Sequence, residues 1–234
     1  MLPIRDSIQS KRVPIVNITL IVTCVVVYFA QLSVGMRVAV EEWAFRPEFL
    51  VPGRAESIGH ALSSMVLSMF MHGGLMHILG NMLFLWVFGD NIEDRMGHAK
   101  YLIFYLIAGI IATLAHSGAS LVTPAPAAIP IVGASGAIAG VLGAYLVLFK
   151  HAKVQTLVFL FFIVTVINLP APIFLIYWFV IQVLSIGTGT GVAYLAHVGG
   201  FVAGFLLVRL FADTTSPRPP QQPRPPRVTN LRIE

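Results

Sequence analysis

Gly133-Ala134-Ser135-Gly136-Ala137-Ile138-Ala139-Gly140 opens an apolar run that continues to about Phe149, where Lys150, His151 and Lys153 end it. A serine among small residues at the start of an apolar helix is well placed to act as a nucleophile. The first backbone N–H groups of a helix have no intrahelical partner and can face a developing oxyanion. Serine also needs a base, and a neutral imidazole is the usual one near neutral pH. His197, in Ala196-His197-Val198-Gly199-Gly200, is the one histidine inside a later apolar run. Gly136, Gly140 and Gly143 recur at helical spacing on the first run, and Ala193, His197, Gly200 and Gly204 on the second. Two such stripes let helix axes approach until a short hydroxyl side chain meets an imidazole.

The rest of the chain has the composition of a membrane protein. Of 234 residues, 57% are apolar and 11% charged, with mean hydropathy +0.85. Several runs approach the roughly 20 residues that cross a bilayer core of about 30 Å. The net charge of +5 is distributed as membrane orientation requires, at alternate ends of the runs, and does not indicate a nucleic-acid partner. The single cysteine, Cys24, excludes an intrachain disulfide and supports no thiolate cluster.

Six spans are expected: 13–34, 74–88, 101–116, 135–149, 173–186 and 192–211. Residues 1–12 form a polar, basic N-terminal segment, and the run after them is longer than a signal-peptide core. Residues 35–60 mix charges with Trp43, Phe45 and Phe49, as in a loop that dips into the interface. The link 117–131, rich in Pro, Ala and Ser, reads as an external loop, and Gly187–Gly191 as a flexible turn. Thr156–Asn168 is apolar but too short to span, so an interfacial or re-entrant piece is expected. The Pro/Arg-rich tail, 212–234, is expected to be disordered. With both termini inside, twelve of the fifteen basic residues fall on the cytoplasmic side, while Arg37, Arg46 and Arg54 share their loop with four glutamates.

The second span adds a third element, because His77 and Asn81 share a helical face with His72 shortly before them. An amide and an imidazole there can donate to an oxyanion. The bland alternatives are a capping or packing serine, a hydrogen-bonded core histidine, and an asparagine that only ties helices together. Zinc on His72, His77 and His197 is disfavoured because no HExxH occurs, and neither metal nor cofactor is expected. No Asp or Glu is expected inside a span. That sets aside an aspartyl protease and leaves a serine-histidine dyad without a third, acidic member.

Taken together, Phe70-Met71-His72-Gly73-Gly74-Leu75-Met76-His77, Asn81-Met82, Phe88-Gly89, Glu93, Gly97, Gly133-Ala134-Ser135-Gly136 and Ala196-His197-Val198-Gly199-Gly200 with Gly204 resemble the rhomboid intramembrane serine proteases. The likeness runs over about residues 14–211, with its three motifs in order on the second, fourth and sixth spans. It implies an all-α polytopic membrane protein, a six-transmembrane-helix bundle with a membrane-embedded first loop, whose protease domain is 13–211.

The resemblance implies Ser135 as nucleophile and His197 as general base and acid. It places Asn81, His77 and the Ser135 N–H, next to Gly133, at the oxyanion, with His72 beside the water-accessible site. It further implies that Glu93 stabilises the cytoplasmic turn, that the fifth span with Phe174 and Trp178 is a lateral gate, and that 187–191 caps the site. Transmembrane protein segments would be the substrates, the lipid bilayer the surroundings, and a bacterial-type inner membrane with both termini cytoplasmic the location. Two departures stand out. Trp43 and Arg46 are not adjacent as in many members, and Ala139 replaces an aromatic that stacks on the histidine in some, leaving the group that orients His197 unassigned. A catalytically silent, client-binding relative is the main competing class, and a small transporter a distant one.

Overall fold

The protein is described from a computed structural model covering residues 1–51, 57–122, 130–160 and 163–212. Of the expected tail only Ala212 falls among these, so the reading of that tail lies outside the described residues, as do 52–56 in the first loop and 123–129 in the external link. The elements in chain order are β1 (Leu2–Asp6), α1 (Ile15–Val34), α2 (Met36–Trp43), α3 (Ile58–Ser68), α4 (Leu75–Met96), α5 (His98–Val122), α6 (Ser135–Leu148), β2 (Lys153–Leu160), β3 (Ile163–Pro170), α7 (Ala171–Leu184) and α8 (Tyr194–Phe211). A 3₁₀ turn at Pro47–Leu50 follows α2.

Helices α1, α4, α5 and α8 are long and apolar enough to cross a bilayer, and α6 and α7 are shorter apolar helices. These six form the expected bundle. Its outer surface is apolar, with Phe29, Trp86, Leu206 and Leu210 more than half exposed, as a lipid-facing surface requires. At the centre is α6, with Gly136 to Tyr145 all buried. It lies against α8 at near-contact distance: a Cβ added to Gly200 would sit 2.0 Å from the Gly136 carbonyl oxygen, and one added to Gly204 only 1.9 Å from that of Gly140. Such packing, rather than hydrophobic burial, is what joins helices surrounded by lipid.

The described part of the first loop, 35–51 and 57–60, carries regular structure that its mixed composition did not suggest. α2, the 3₁₀ turn and α3 pack over the bundle with Phe45 fully buried against Met65 and Ile131, and Phe45 pairs with Ile131 through a backbone bridge. The third span runs on to Val122, shortening the loop read from 117.

The described residues of 156–168, expected as an interfacial or re-entrant piece too short to span, lie in an antiparallel hairpin of β2 and β3, and β1 from the N-terminal segment adds a third strand. β-Branched residues alternate along β2, where Val154, Thr156 and Val158 are buried, and that period of two marks a strand with one covered face. The sheet caps the end of the bundle opposite Ser135, beyond the last turn of α6.

α4 extends past the expected span to Met96 and takes in Asp90, Glu93 and Asp94. Glu93 is 2% exposed and accepts hydrogen bonds from the backbone N–H groups of Val16 (2.9 Å) and Asn17 (2.7 Å), the first turn of α1. His98 Nδ1 meets the same carboxylate. Asn17 in turn donates to the Leu85 carbonyl at 3.0 Å and accepts from Tyr101 Oη at 2.8 Å. An acidic side chain at the positive end of a helix is a favourable arrangement, and here it joins α1, α4 and α5.

Two measurements test this architecture. Gly204→Ala sets a methyl against the Gly140 carbonyl, so overpacking is expected to lower stability by about 1–3 kcal/mol. An unchanged denaturation midpoint in detergent would contradict the close α6–α8 contact.

The second concerns Asp6 in β1, which accepts from Asn91 Nδ2 at 2.8 Å and from Tyr145 Oη. Burial lifts its carboxyl from 3.8 to about 7, against the opposing effect of the Tyr145 bond and with help from nearby Asp90. The docked strand therefore holds a proton that a free strand would release. This contribution is complete below the ordinary carboxylate range and is lost as pH rises through about 7. Amide exchange in β1, corrected for its intrinsic rate, should accelerate between about pH 5.5 and about pH 8 and lose that dependence in Asp6→Asn.

Candidate active site

Ser135 is the first residue of α6, preceded by Gly133 at φ +126°. That left-handed conformation suits glycine, and the missing side chain matters too. A Cβ on Gly133 would lie 2.8 Å from Cε1 and Nε2 of His77 and 3.5 Å from Ser135 Oγ. The gap that glycine leaves is thus the space in which the His77 ring edge comes up beside the serine hydroxyl.

His197 sits in the first turn of α8, buried to 9% exposure. The contact between the α6 and α8 backbones brings its ring onto the serine: Ser135 Oγ donates to His197 Nε2 at 2.7 Å. On the other side of the ring, Nδ1 donates to Gln182 Oε1, also at 2.7 Å. Trp178, one turn before Gln182 on α7, holds its ring 5.9 Å from the imidazole, and Tyr194 meets it edge-on at 6.2 Å. These are the groups that flank the imidazole, at a site where Ala139 brings no ring of its own.

The face of α4 expected to supply donors is present. His77, in its first turn, accepts at Nδ1 from the Gly73 N–H at 3.4 Å, which leaves the Nε2 side of the ring facing Gly133. Asn81 is buried, and its Nδ2 has no hydrogen-bond partner among the described residues. His72 is fully buried, packs edge-on against His77 at 5.2 Å, and has its Nε2 likewise unpartnered. Buried donors without acceptors are rare and costly. Asn81 Nδ2, one turn along α4 from His77, is such a donor, as a site awaiting an oxyanion requires; His72 is not, because its Nδ1 donates to the Phe70 carbonyl at 3.1 Å and leaves Nε2 as an acceptor.

The backbone of His72 is held by Gln31 of α1, which accepts from its N–H at 2.9 Å and donates to its carbonyl at 3.2 Å. Neither Gln31 nor Gln182 was anticipated as part of the site. Both are amides in otherwise apolar helices, and a polar side chain at such a position is the signal that could have found them.

The carboxylates of α4 do not alter the dyad. Glu93 is twelve residues beyond Asn81, about 18 Å along the axis at 1.5 Å per residue. Asp6 and Asp90 meet at that far end, where hydrogen bonds from Tyr145 and Asn91 occupy them. The arrangement beside Ser135 can take a proton from a hydroxyl, return it to a leaving group, and receive negative charge on buried N–H donors. That is the chemistry of acyl transfer.

Residues 59–214 match the family model described as the Rhomboid domain. Similar proteins include RHOMBOID-like protein 4 of Arabidopsis thaliana, 33% identical over 59% of this chain and 31% of that protein. Rhomboid protein 1, mitochondrial, of Saccharomyces cerevisiae is 38% identical over 41% of this chain and 28% of its own length. Rhomboid protease GluP of Bacillus subtilis is 34% identical over 58% of this chain and 23% of its own. The matched region therefore spans less than a third of the length of these relatives.

Proposed function

The chain belongs to the rhomboid family, and from that premise we propose that it is an intramembrane serine endopeptidase that cleaves transmembrane segments of other proteins with a Ser135–His197 dyad. The observation that carries this reading is the 2.7 Å hydrogen bond from Ser135 Oγ to His197 Nε2, with the buried Asn81 Nδ2 on α4 lacking an acceptor.

In the proposed reaction, Ser135 Oγ attacks the scissile carbonyl carbon while His197 Nε2 takes its proton. The carbonyl oxygen becomes an oxyanion held by the Ser135 backbone N–H, Asn81 Nδ2 and the His77 ring. The imidazolium then protonates the departing amine as the C–N bond breaks, leaving an acyl-serine. Water attacks that ester, giving its proton to His197, and the carboxylic acid leaves as Ser135 is restored.

A peptide carbonyl inside a membrane helix is already hydrogen-bonded, so substrates are expected to carry Gly, Pro or polar residues near the cut, where unwinding costs least. A small residue before the cut fits a site crowded by His77 and Gly133. Ser135 stands at one end of its helix, and the lysine-rich end is opposite. With both termini cytoplasmic, as in a bacterial inner membrane, cleavage falls near the outer leaflet. The protease domain is then 13–211, with the Pro/Arg-rich tail on the cytoplasmic side.

In vesicles with a generic transmembrane substrate, Ser135→Ala and His197→Ala should abolish cleavage at unchanged protein level. Asn81→Ala should slow it by about 10²–10³-fold, the usual effect of losing one oxyanion donor. Cleavage persisting in Ser135→Ala would overturn the proposal. Substrate retained by the wild type without cleavage would identify a client-binding protein instead.

A further inference from the structure

We infer that Gln182 is a positioning residue for the catalytic histidine and that it makes the dyad conditional on the docking of α7. The inference rests on the protease reading above and extends it to a residue outside the dyad.

A neutral imidazole carries its single proton on either nitrogen, and only the form with Nε2 bare can accept from Ser135. Which form prevails depends on what faces Nδ1. The Gln182 amide could present either its oxygen or its NH₂, but its Nε2 donates to the Trp178 carbonyl one turn back at 3.3 Å. That bond turns Oε1 toward His197, where it accepts from Nδ1 at 2.7 Å. The proton is thereby assigned to Nδ1 and the lone pair to Nε2, the nitrogen 2.7 Å from Ser135 Oγ. Trp178 acts twice, through its carbonyl on the amide and through its ring, 5.9 Å from the imidazole.

The orienting group belongs to a helix that leaves most of its surface exposed. In α7 only Ala171, Phe174, Leu175 and Gln182 are buried; beyond Leu175, Trp178 and Phe179 are half-buried against the core, and Gln182 is the one polar residue turned inward. Ile176, Tyr177, Val180 and Leu184 are exposed. The link onward to α8 carries Gly187, Gly189 and Gly191 at positive φ. When α7 moves outward, His197 loses its acceptor and the ring is free to rotate or to exchange tautomers. Chemistry therefore proceeds with α7 seated, and a bond made only in the seated position sets the base.

The test uses the full-length protein, following phosphonylation of Ser135 by a fluorophosphonate, which needs the dyad but no transmembrane substrate, alongside ¹⁵N chemical shifts of the His197 ring. Gln182→Leu is expected to slow labelling about tenfold, the rate equivalent of one neutral hydrogen bond, and to lower kcat while leaving KM unchanged. Gln182→Glu, which restores an oxygen acceptor, is expected to recover most of the rate. The ring shifts should report a proton on Nδ1 in the wild type and a mixture in Gln182→Leu.

Labelling of Gln182→Leu at the wild-type rate, or a wild-type proton on Nε2, overturns this inference and leaves the protease reading standing. So does Gln182→Glu falling as far as Gln182→Leu, since the amide would then be only structural. Wild-type protein that neither labels nor cleaves removes the protease reading and this inference with it.

Discussion

The site depends on the absence of side chains along one seam. Gly136 and Gly140 on α6 face Gly200 and Gly204 on α8 so closely that a single methyl would overlap a carbonyl oxygen. Lipid offers no hydrophobic reward for joining two apolar helices, so contact must come from close packing, and close packing needs glycine. That approach decides the chemistry. Serine has the shortest hydroxyl side chain available, and its Oγ can reach an imidazole on another helix only if the two backbones nearly touch.

Polar groups are divided between the two ends of the bundle. At the end away from Ser135, Glu93, Asn17, Tyr101 and His98 satisfy one another and the first turn of α1. There a buried carboxylate stabilises the fold because every charge-assisted bond is made. At the Ser135 end, Asn81 keeps an unpartnered donor and His72 an unpartnered acceptor, an arrangement that costs stability unless something else pairs with them. On the protease reading, the acceptor that Asn81 awaits is the oxyanion of the substrate. The middle of α6 and α8 separates the two ends.

How much of this was legible in the chain follows from what each signal depends on. The six helices were readable because hydropathy runs are local, and the Ser135–His197 pairing because small-residue stripes have a helical period that points the two at each other. The hairpin of β2 and β3 was not, because an apolar stretch of that length suits several structures and its alternation of buried Val154, Thr156 and Val158 was outweighed by expectations for membrane segments. Acidic residues at the end of α4 were placed outside the span because hydropathy falls there, whereas the helix continues until Gly97 at φ +79° ends it. Gln182 escaped notice for another reason. Its importance lies in a contact between α7 and α8, and no local pattern announces which polar residue of one helix will face a given histidine of another.

The central claim is that a hydroxyl and an imidazole from two different helices form one reactive unit. Peptide mapping by mass spectrometry after treatment of the folded protein with a fluorophosphonate tests it most directly, since only an activated serine reacts at useful rates. The account predicts one phosphonyl adduct, on the peptide holding Ser135, that disappears in His197→Ala. Folded protein that stays unmodified, or that carries its adduct on a different serine, would contradict it.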